Sequence, residues 1–314
     1  MSSTILVAGA TGNTGQGVVT TLSKLLESSN SFSKHKIIAL TRSSRSTAAQ
    51  KLAALPRVDI IEYPWAEITA DWFRHHNVVR AFIASHIETS HFAEESTFLL
   101  EALKAGLEYV VRISTTATNV RPDCNAYYAR AHWAIEAMLS SPAFTGLRWT
   151  SLQPNVFSPV FLQPAVALVD EFRRTGKVGA LRLTASEDAP VALIDPIEIG
   201  IFAAHLLVEE DVIRHDKAKY VLNGPEDISG RQIVDLVEQE IGVKIENVVF
   251  KDVSWVDYVV AQSSAPKSIV SSLKFAPVTT WEGKCTASTT SQEVLRLAAP
   301  KVTPTDYFKT MLQK

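Results

Sequence analysis

The sequence predicts a doubly wound parallel α/β sheet, a Rossmann-type architecture, with a smaller lobe toward the C-terminus. Three observations predict it: short apolar runs alternate with helical stretches through the first 155 residues, the connections between them are brief, and a glycine-rich turn follows the first run. Residues 5–9 are apolar or small at nearly every position, as in a strand buried on both faces in mid-sheet. The chain then breaks at Gly9, Gly12 and Gly15 and continues into a helix over 16–26, with Val18, Val19, Leu22, Leu25 and Leu26 for its apolar face. Strand, tight turn and helix in this order suit a dinucleotide pyrophosphate. Gly9 permits the turn, Gly12 lets backbone approach phosphate, Gly15 lets helix lie on sheet, and the helix N-terminus offers N–H groups to the anion.

The remaining elements follow in sequence. Residues 27–36, rich in serine and asparagine, form a surface loop before a second strand at 37–40. The C-terminal end of that strand meets the adenosine ribose in such folds, and no Asp or Glu lies between Glu27 and Asp59 to hold a 2′-hydroxyl. Arg42 and Ser43 stand there instead and suit a 2′-phosphate, which points to NADP rather than NAD. Strands at 58–62 and 78–84 flank a brief helix within 68–76, and Ala84 and Ser85 begin the loop passing under the cofactor. A long helix over 88–105 stops at Gly106, and a fifth strand over 109–113 ends in Ser114-Thr115-Thr116. A helix over 123–140 and a sixth strand over 149–153 complete the unit. Beyond it the pattern loosens, with prolines at 159 and 164, helices over 165–174, 197–207 and 229–241, and a strand and helix returning to the sheet. The expected division is a cofactor domain over 1–155 and a substrate-covering lobe over 156–314.

Composition narrows the function. Among 314 residues, 31 Lys and Arg against 33 Asp and Glu leave a formal charge of −2, so charge gives no reason to expect nucleic acid or an anionic membrane as partner. No apolar stretch is long enough to span a membrane and no basic segment precedes the first strand, so cytoplasmic residence is expected. Cys124 and Cys285 form no C-x-x-C pair, which speaks against a disulfide framework or a structural zinc. His75 with His76, and His86 with His91, lack metal-ligand spacing on a helix; solvated or capping roles are expected for all four, and no metal site. The six tryptophans, at 65, 72, 133, 149, 255 and 281, are read as core or lobe-interface residues. No G-x-S-x-G elbow supports a hydrolase.

On these residues the chain resembles the NmrA-like branch of the atypical short-chain dehydrogenase/reductases, especially its fungal members. The likeness rests on Gly9-Ala10-Thr11-Gly12-Asn13-Thr14-Gly15, Arg42, Gln153-Pro154-Asn155-Val156-Phe157, Ile194-Asp195-Pro196, Trp281-Glu282-Gly283 and the segment 303–308. It implies NADP(H) or NAD(H) binding by the 9–15 turn, with Pro154, Asn155 and Phe157 beside the nicotinamide. Pro64 stands where relatives commonly place an aspartate near the adenine. Short-chain dehydrogenases carry Tyr-x-x-x-Lys, whose lysine lowers the tyrosine pKa and grips the nicotinamide ribose. Here Tyr128 is followed at helical spacing by His132. A histidine of ordinary pKa is mostly neutral at pH 7, so tyrosine activation is expected to be weaker, with His132 steadying the ribose or acting as acid or base. Thr115 takes the approximate place of the serine that orients the substrate oxygen.

The expectation is an NADP-dependent oxidoreductase acting on a small apolar molecule, in fungal secondary metabolism, with Tyr128 as proton donor. Two rivals follow from the same residues: a redox-sensing regulator that docks on a protein partner, and a cofactor-bound enzyme with no net redox step.

Overall fold

A computed structural model describes residues 2–313. Seven strands form one sheet: β1 (Thr4–Ala8), β2 (Lys36–Thr41), β3 (Val58–Glu62), β4 (Val78–Ile83), β5 (Tyr109–Ile113), β6 (Arg148–Pro154) and, after the short β7 (Leu181–Arg182), β8 (Ala218–Leu222). Their order is β3-β2-β1-β4-β5-β6-β8, and every pairing is parallel. The order reverses between β1 and β4, and the crevice at that switch point is where such sheets bind ligands.

Period-two alternation divides the core into two layers. Ile5 and Val7 of β1 face one side, packed with Val18, Val19, Leu22 and Leu26 of α1 (Gly15–Ser28). Leu6 and Ala8 face the other, under Phe98, Leu99 and Ala102. Each of these large side chains is fully buried, and such burial stabilises by about 1.5–3 kcal/mol per residue.

A second helix, α2 (Thr47–Ala53), was not expected from the sequence; Ser46 caps it by accepting from the Ala49 N–H at 3.2 Å. The next two, α3 (Ala70–His75) and α4 (His91–Ala105), are each shorter than the stretches predicted to hold them, and Gly106 closes α4 in the left-handed region. Helix α5 (Tyr127–Leu139) begins four residues later than expected, because residues 123–126 form a turn held by Arg130 donating to the Cys124 and Asn125 carbonyls. Tyr128 therefore sits in its first turn.

Helix α6 (Ser158–Thr175) begins seven residues earlier than the prolines suggested. Pro159 falls in its first two positions, where the missing N–H costs nothing. Pro164 is accommodated inside the helix. After α6, α7 (Pro196–Leu207) returns to pack on α1, β8 joins β6, and α8 (Gly230–Ile241) is started by a Ser229–Gln232 capping box. A small parallel pair of β7 with β9 (Val248–Val249), also unexpected, joins α6 and α8 around a separate apolar cluster that includes Leu162, Val169, Ile233 and Val237. No helix among the described residues is long and apolar enough to cross a membrane.

Candidate functional site

A cavity of about 580 Å³ opens at the carboxyl ends of β1, β2, β4, β5 and β6. Its lining takes in Gly9, Thr11, Gly12, Asn13, Thr14, Gly15, Arg42, Ala84, Ser85, Thr115, Tyr128, His132, Pro154, Asn155 and Phe157, so the structure brings together all but two of the residues singled out in the sequence. The two exceptions are Ala10 and Ser43. Ala10 is fully buried beneath the turn, its N–H donating to the Leu40 carbonyl at 3.2 Å, so its methyl belongs to the core. Ser43 is exposed beside Arg42, and its backbone shapes the loop: its N–H donates to Thr41 Oγ1, and its carbonyl accepts from the Thr41 and Ser46 hydroxyls.

At one end of the cavity lies the glycine turn. Gly9 has φ +83°, a conformation that side chains rarely adopt. A Cβ on Gly15 would lie 2.1 Å from the Gly9 carbonyl oxygen, so only glycine lets the helix start this close to the strand. Thr14 at the N-cap makes no side-chain cap bond, and no acidic residue occupies the first turn of α1. The positive end of the helix thus faces the cavity uncompensated, as a pyrophosphate requires.

Arg42 is exposed at the mouth, at the end of β2. The register sets Glu62 of β3 opposite Thr41, a carboxylate near the ribose end that sequence spacing did not place there. Its charge is engaged, however, by the N–H and hydroxyl of Ser44, and these bonds hold the Glu62 carboxyl below its usual range. Tyr63, Pro64, Trp65 and His86 complete this end, with His86 paired to Glu94 at 2.7 Å.

At the other end, Tyr128 lines the cavity with Thr115. Burial pushes the Tyr128 phenol above its ordinary value, partly opposed by a hydrogen bond with the Thr115 hydroxyl, and the nearby Cys124, Tyr127 and Cys285 push it further up. Ser114 Oγ, beside them, is buried without a hydrogen-bond partner among the described residues. An orphaned hydroxyl in a cavity wall is a polar atom that a bound ligand would satisfy. Cys124 and Cys285 are free, buried thiols.

His132 is buried, and beneath it lies a charged network that the sequence reading missed. Arg112 of β5, fully buried, donates from Nη2 to His132 Nδ1 at 2.9 Å, from Nε to Glu95 and from Nη1 to Ser151 Oγ at 2.9 Å. Glu95 also receives the Ser85 hydroxyl and His91 Nε2, each at 2.6 Å. Glu136 accepts from Ser151 at 2.7 Å and Gln153 at 3.1 Å, and pairs with Lys219 at 3.0 Å. Despite the opposing cost of burial, Arg112 and these bonds hold both carboxyls below their usual range. Burial and the adjacent guanidinium hold the His132 imidazole well below 6.5.

His91 is thus a buried partner of Glu95, not the solvated or capping residue expected; it lies at the start of α4, on the face turned to β5. His91, Glu95 and His132 present ligand atoms within 4.8 Å of one another, the span of a cation site. Arg112 already supplies the cation to Glu95 and to His132. The signal for this network was in the sequence: an arginine inside the apolar run Tyr109–Ile113, and His–Glu pairs four apart at 91/95 and 132/136 on otherwise buried helix faces.

The outer wall comes from the later chain: Val160 and Phe161 of α6, Thr184, Trp255, Leu273 and Pro277. Trp65, which packs on the core beside Phe98, and Trp255 of the later chain also border the cavity. Asn155, at the end of β6, ties the later chain to the sheet, its amide donating to the Ala192 and Cys285 carbonyls at 2.7 and 2.9 Å.

The sequence profile of the NmrA-like family matches residues 1–276. The chain belongs to the NmrA-like family. No curated protein matches it at significant similarity. Among solved structures, this NmrA-like chain is similar to the Escherichia coli NADPH-dependent quinone oxidoreductase complexed with NADPH, at 19% identity and TM-score 0.73, covering 98% of this chain and 99% of that one. It is similar to the Citrobacter sp. triphenylmethane reductase complexed with NADP(H), at 18% identity and TM-score 0.71, covering 98% and 100%. It is also similar to NmrA, a negative transcriptional regulator, in complex with NADP, at 14% identity and TM-score 0.65, covering 99% and 91%. At these identities the likeness establishes the fold.

Proposed function

We propose that this NmrA-like protein is an NADP(H)-dependent oxidoreductase that reduces a small, neutral, apolar molecule. One observation carries the reading: a single cavity joins the Gly9–Gly15 turn and Arg42 at one end to Tyr128 and Thr115 at the other, so a dinucleotide lying along it reaches the hydroxyl pair. In this reading residues 1–155 bind the cofactor and 156–314 cover the substrate, apart from α7 and β8, which return to the sheet. Solved relatives of the same fold were crystallised with NADPH or NADP, which supports the choice of cofactor. The Gly9–Gly15 cradle, the free helix end and the orphaned Ser114 hydroxyl fit such a molecule.

The bound cofactor would supply the hydride. The turn holds the pyrophosphate, and Arg42 offers its guanidinium to a 2′-phosphate. Pro154, Asn155 and Phe157 border the nicotinamide. Tyr128, with its pKa raised, stays protonated at neutral pH and is suited to donate a proton to a developing oxyanion rather than to remove one, which favours the reducing direction. Thr115 orients that oxygen. The wall from Val160, Phe161, Trp255, Leu273 and Pro277 carries no charge, so it suits flat apolar carbonyl compounds, quinones or enones.

The test is binding of NADPH, NADP, NADH and NAD, followed by NADPH consumption with quinones, enones and aromatic aldehydes. Tight NADPH binding with consumption is the expected result. Binding without consumption on every class would move the assignment to a redox-sensing regulator or to an enzyme with no net redox step. That reading draws on the histidine at 132, where a dehydrogenase would carry lysine.

A further inference from the structure

We propose that Arg112 is a positioning residue of this site: it fixes His132 as the neutral tautomer protonated on Nε2, so that His132 serves the cofactor and Tyr128 only as a hydrogen-bond donor. The inference rests on the proposed reductase for its purpose but not for its geometry. A guanidinium has N–H groups and no acceptor, so the 2.9 Å contact from Arg112 Nη2 requires Nδ1 of His132 to be the acceptor. The one proton of the neutral ring then sits on Nε2.

The surroundings oppose a second proton. Facing or supporting His132 are Arg112 from β5, His91 and Glu95 from α4, Tyr128 and Glu136 from its own helix, Ser151 and Gln153 from β6, and Lys219 from β8 behind Glu136. Two carboxylates balance the guanidinium and the ammonium. A charge on His132 would be uncompensated in a buried cluster and would set a cation against Arg112. The same guanidinium reaches through Glu95 to the Ser85 hydroxyl, so one side chain orients both His132 and the loop after β4. Arg112 thus allows a histidine to do steadily what the lysine of Tyr-x-x-x-Lys does: present an N–H donor whatever the pH.

Imidazole 1H–15N spectra of the full-length protein, with and without NADP, test this; His132 is assigned by the resonance lost in His132→Gln. The expected result is a protonated Nε2, an unprotonated Nδ1 and no titration between about pH 5.5 and 8. In Arg112→Met combined with Glu95→Leu, which removes both members of the buried pair, Nδ1 loses the donor that fixes it, and the ring, still buried and neutral, should show a mixture of the two tautomers. NADPH turnover by that variant should fall about tenfold together with the loss of the single tautomer, whereas a merely structural Arg112 would lower turnover with the Nε2 proton still fixed. Protonation on Nδ1, or titration near pH 6.5 in the parent protein, would overturn the proposal. If the double variant does not fold, the parent spectrum decides alone. Should the parent consume no NADPH, the reductase reading fails while the spectrum still decides the tautomer.

Discussion

Gly200 of α7 lies against Thr14 of the glycine turn so closely that a Cβ on Gly200 would stand 2.4 Å from the Thr14 carbonyl oxygen. Gly17 makes the reciprocal approach, its would-be Cβ 2.5 Å from the Ile197 carbonyl oxygen. A helix nearly two hundred residues away in sequence thereby props the start of α1. Gly200→Ala should cost about 1–3 kcal/mol of stability through overpacking. It should also weaken NADPH binding, although Gly200 is not in the cavity wall; thermal unfolding and a fluorescence titration read the two effects. Unchanged NADPH affinity in a destabilised variant would mean that α7 does not set the turn.

Arg42→Ala should weaken NADPH binding by about ten- to a hundredfold, the worth of a charge-assisted phosphate contact. NADH binding should change by less than about threefold, because NADH lacks the 2′-phosphate. Titrating both cofactors against parent and variant gives the ratio. An equal loss for both would place Arg42 elsewhere on the dinucleotide.

Tyr128→Phe should lower turnover by about 10²–10⁴ while leaving NADPH affinity within a few-fold, since the hydroxyl acts on the substrate rather than on cofactor binding. Single-turnover NADPH oxidation measures the chemical step directly. Turnover close to the parent's would remove Tyr128 from the proton transfer.

Acid should destabilise the protein in two stages. The folded pKa of buried His132 lies well below its ordinary 6.5, so below that value the unfolded chain binds a proton that the folded chain refuses, and stability falls as pH drops. For His132 the slope approaches about 1.4 kcal/mol per pH unit. Glu95 and Glu136 have depressed folded values, so their contribution is complete above about 4.5 and is lost as pH falls further. Urea unfolding from pH 8 to about pH 4 should show a steeper fall below 4.5, and His132→Gln should flatten the upper stage. A His132→Gln protein with the parent's slope between about pH 5 and 6.5 would contradict the buried neutral imidazole.

Trp255, 40% exposed, presents its ring to the cavity from the later chain. Trp255→Ala should raise KM for an apolar aromatic substrate about tenfold, from lost burial of about 1–2 kcal/mol, with NADPH affinity unchanged. Parallel steady-state and binding measurements separate these, and a rise in the NADPH Kd instead would put Trp255 over the cofactor.

The sheet, the turn and the cofactor end of the site are legible in the chain alone, because they depend on signals that are local. Period-two apolar runs specify strands, and Gly9, Gly12 and Gly15 carry their meaning in consecutive residues, as does Tyr128 four positions before His132. Even so, spacing did not tell that the Ala10 methyl packs into the core beneath the turn while its neighbours face the cavity. The rest depends on contacts between distant segments. Arg112, Glu95 and Glu136 each look like an anomaly in an apolar pattern until β5, α4 and α5 stack and Lys219 of β8 completes the charge balance. Gly200 means nothing until α7 meets α1, and the apolar wall exists only because α6 and residues 255–277 fold back over the sheet. Those contacts join residues far apart in the chain, and no spacing within one segment encodes which partner a buried charge or a bare helix face will find.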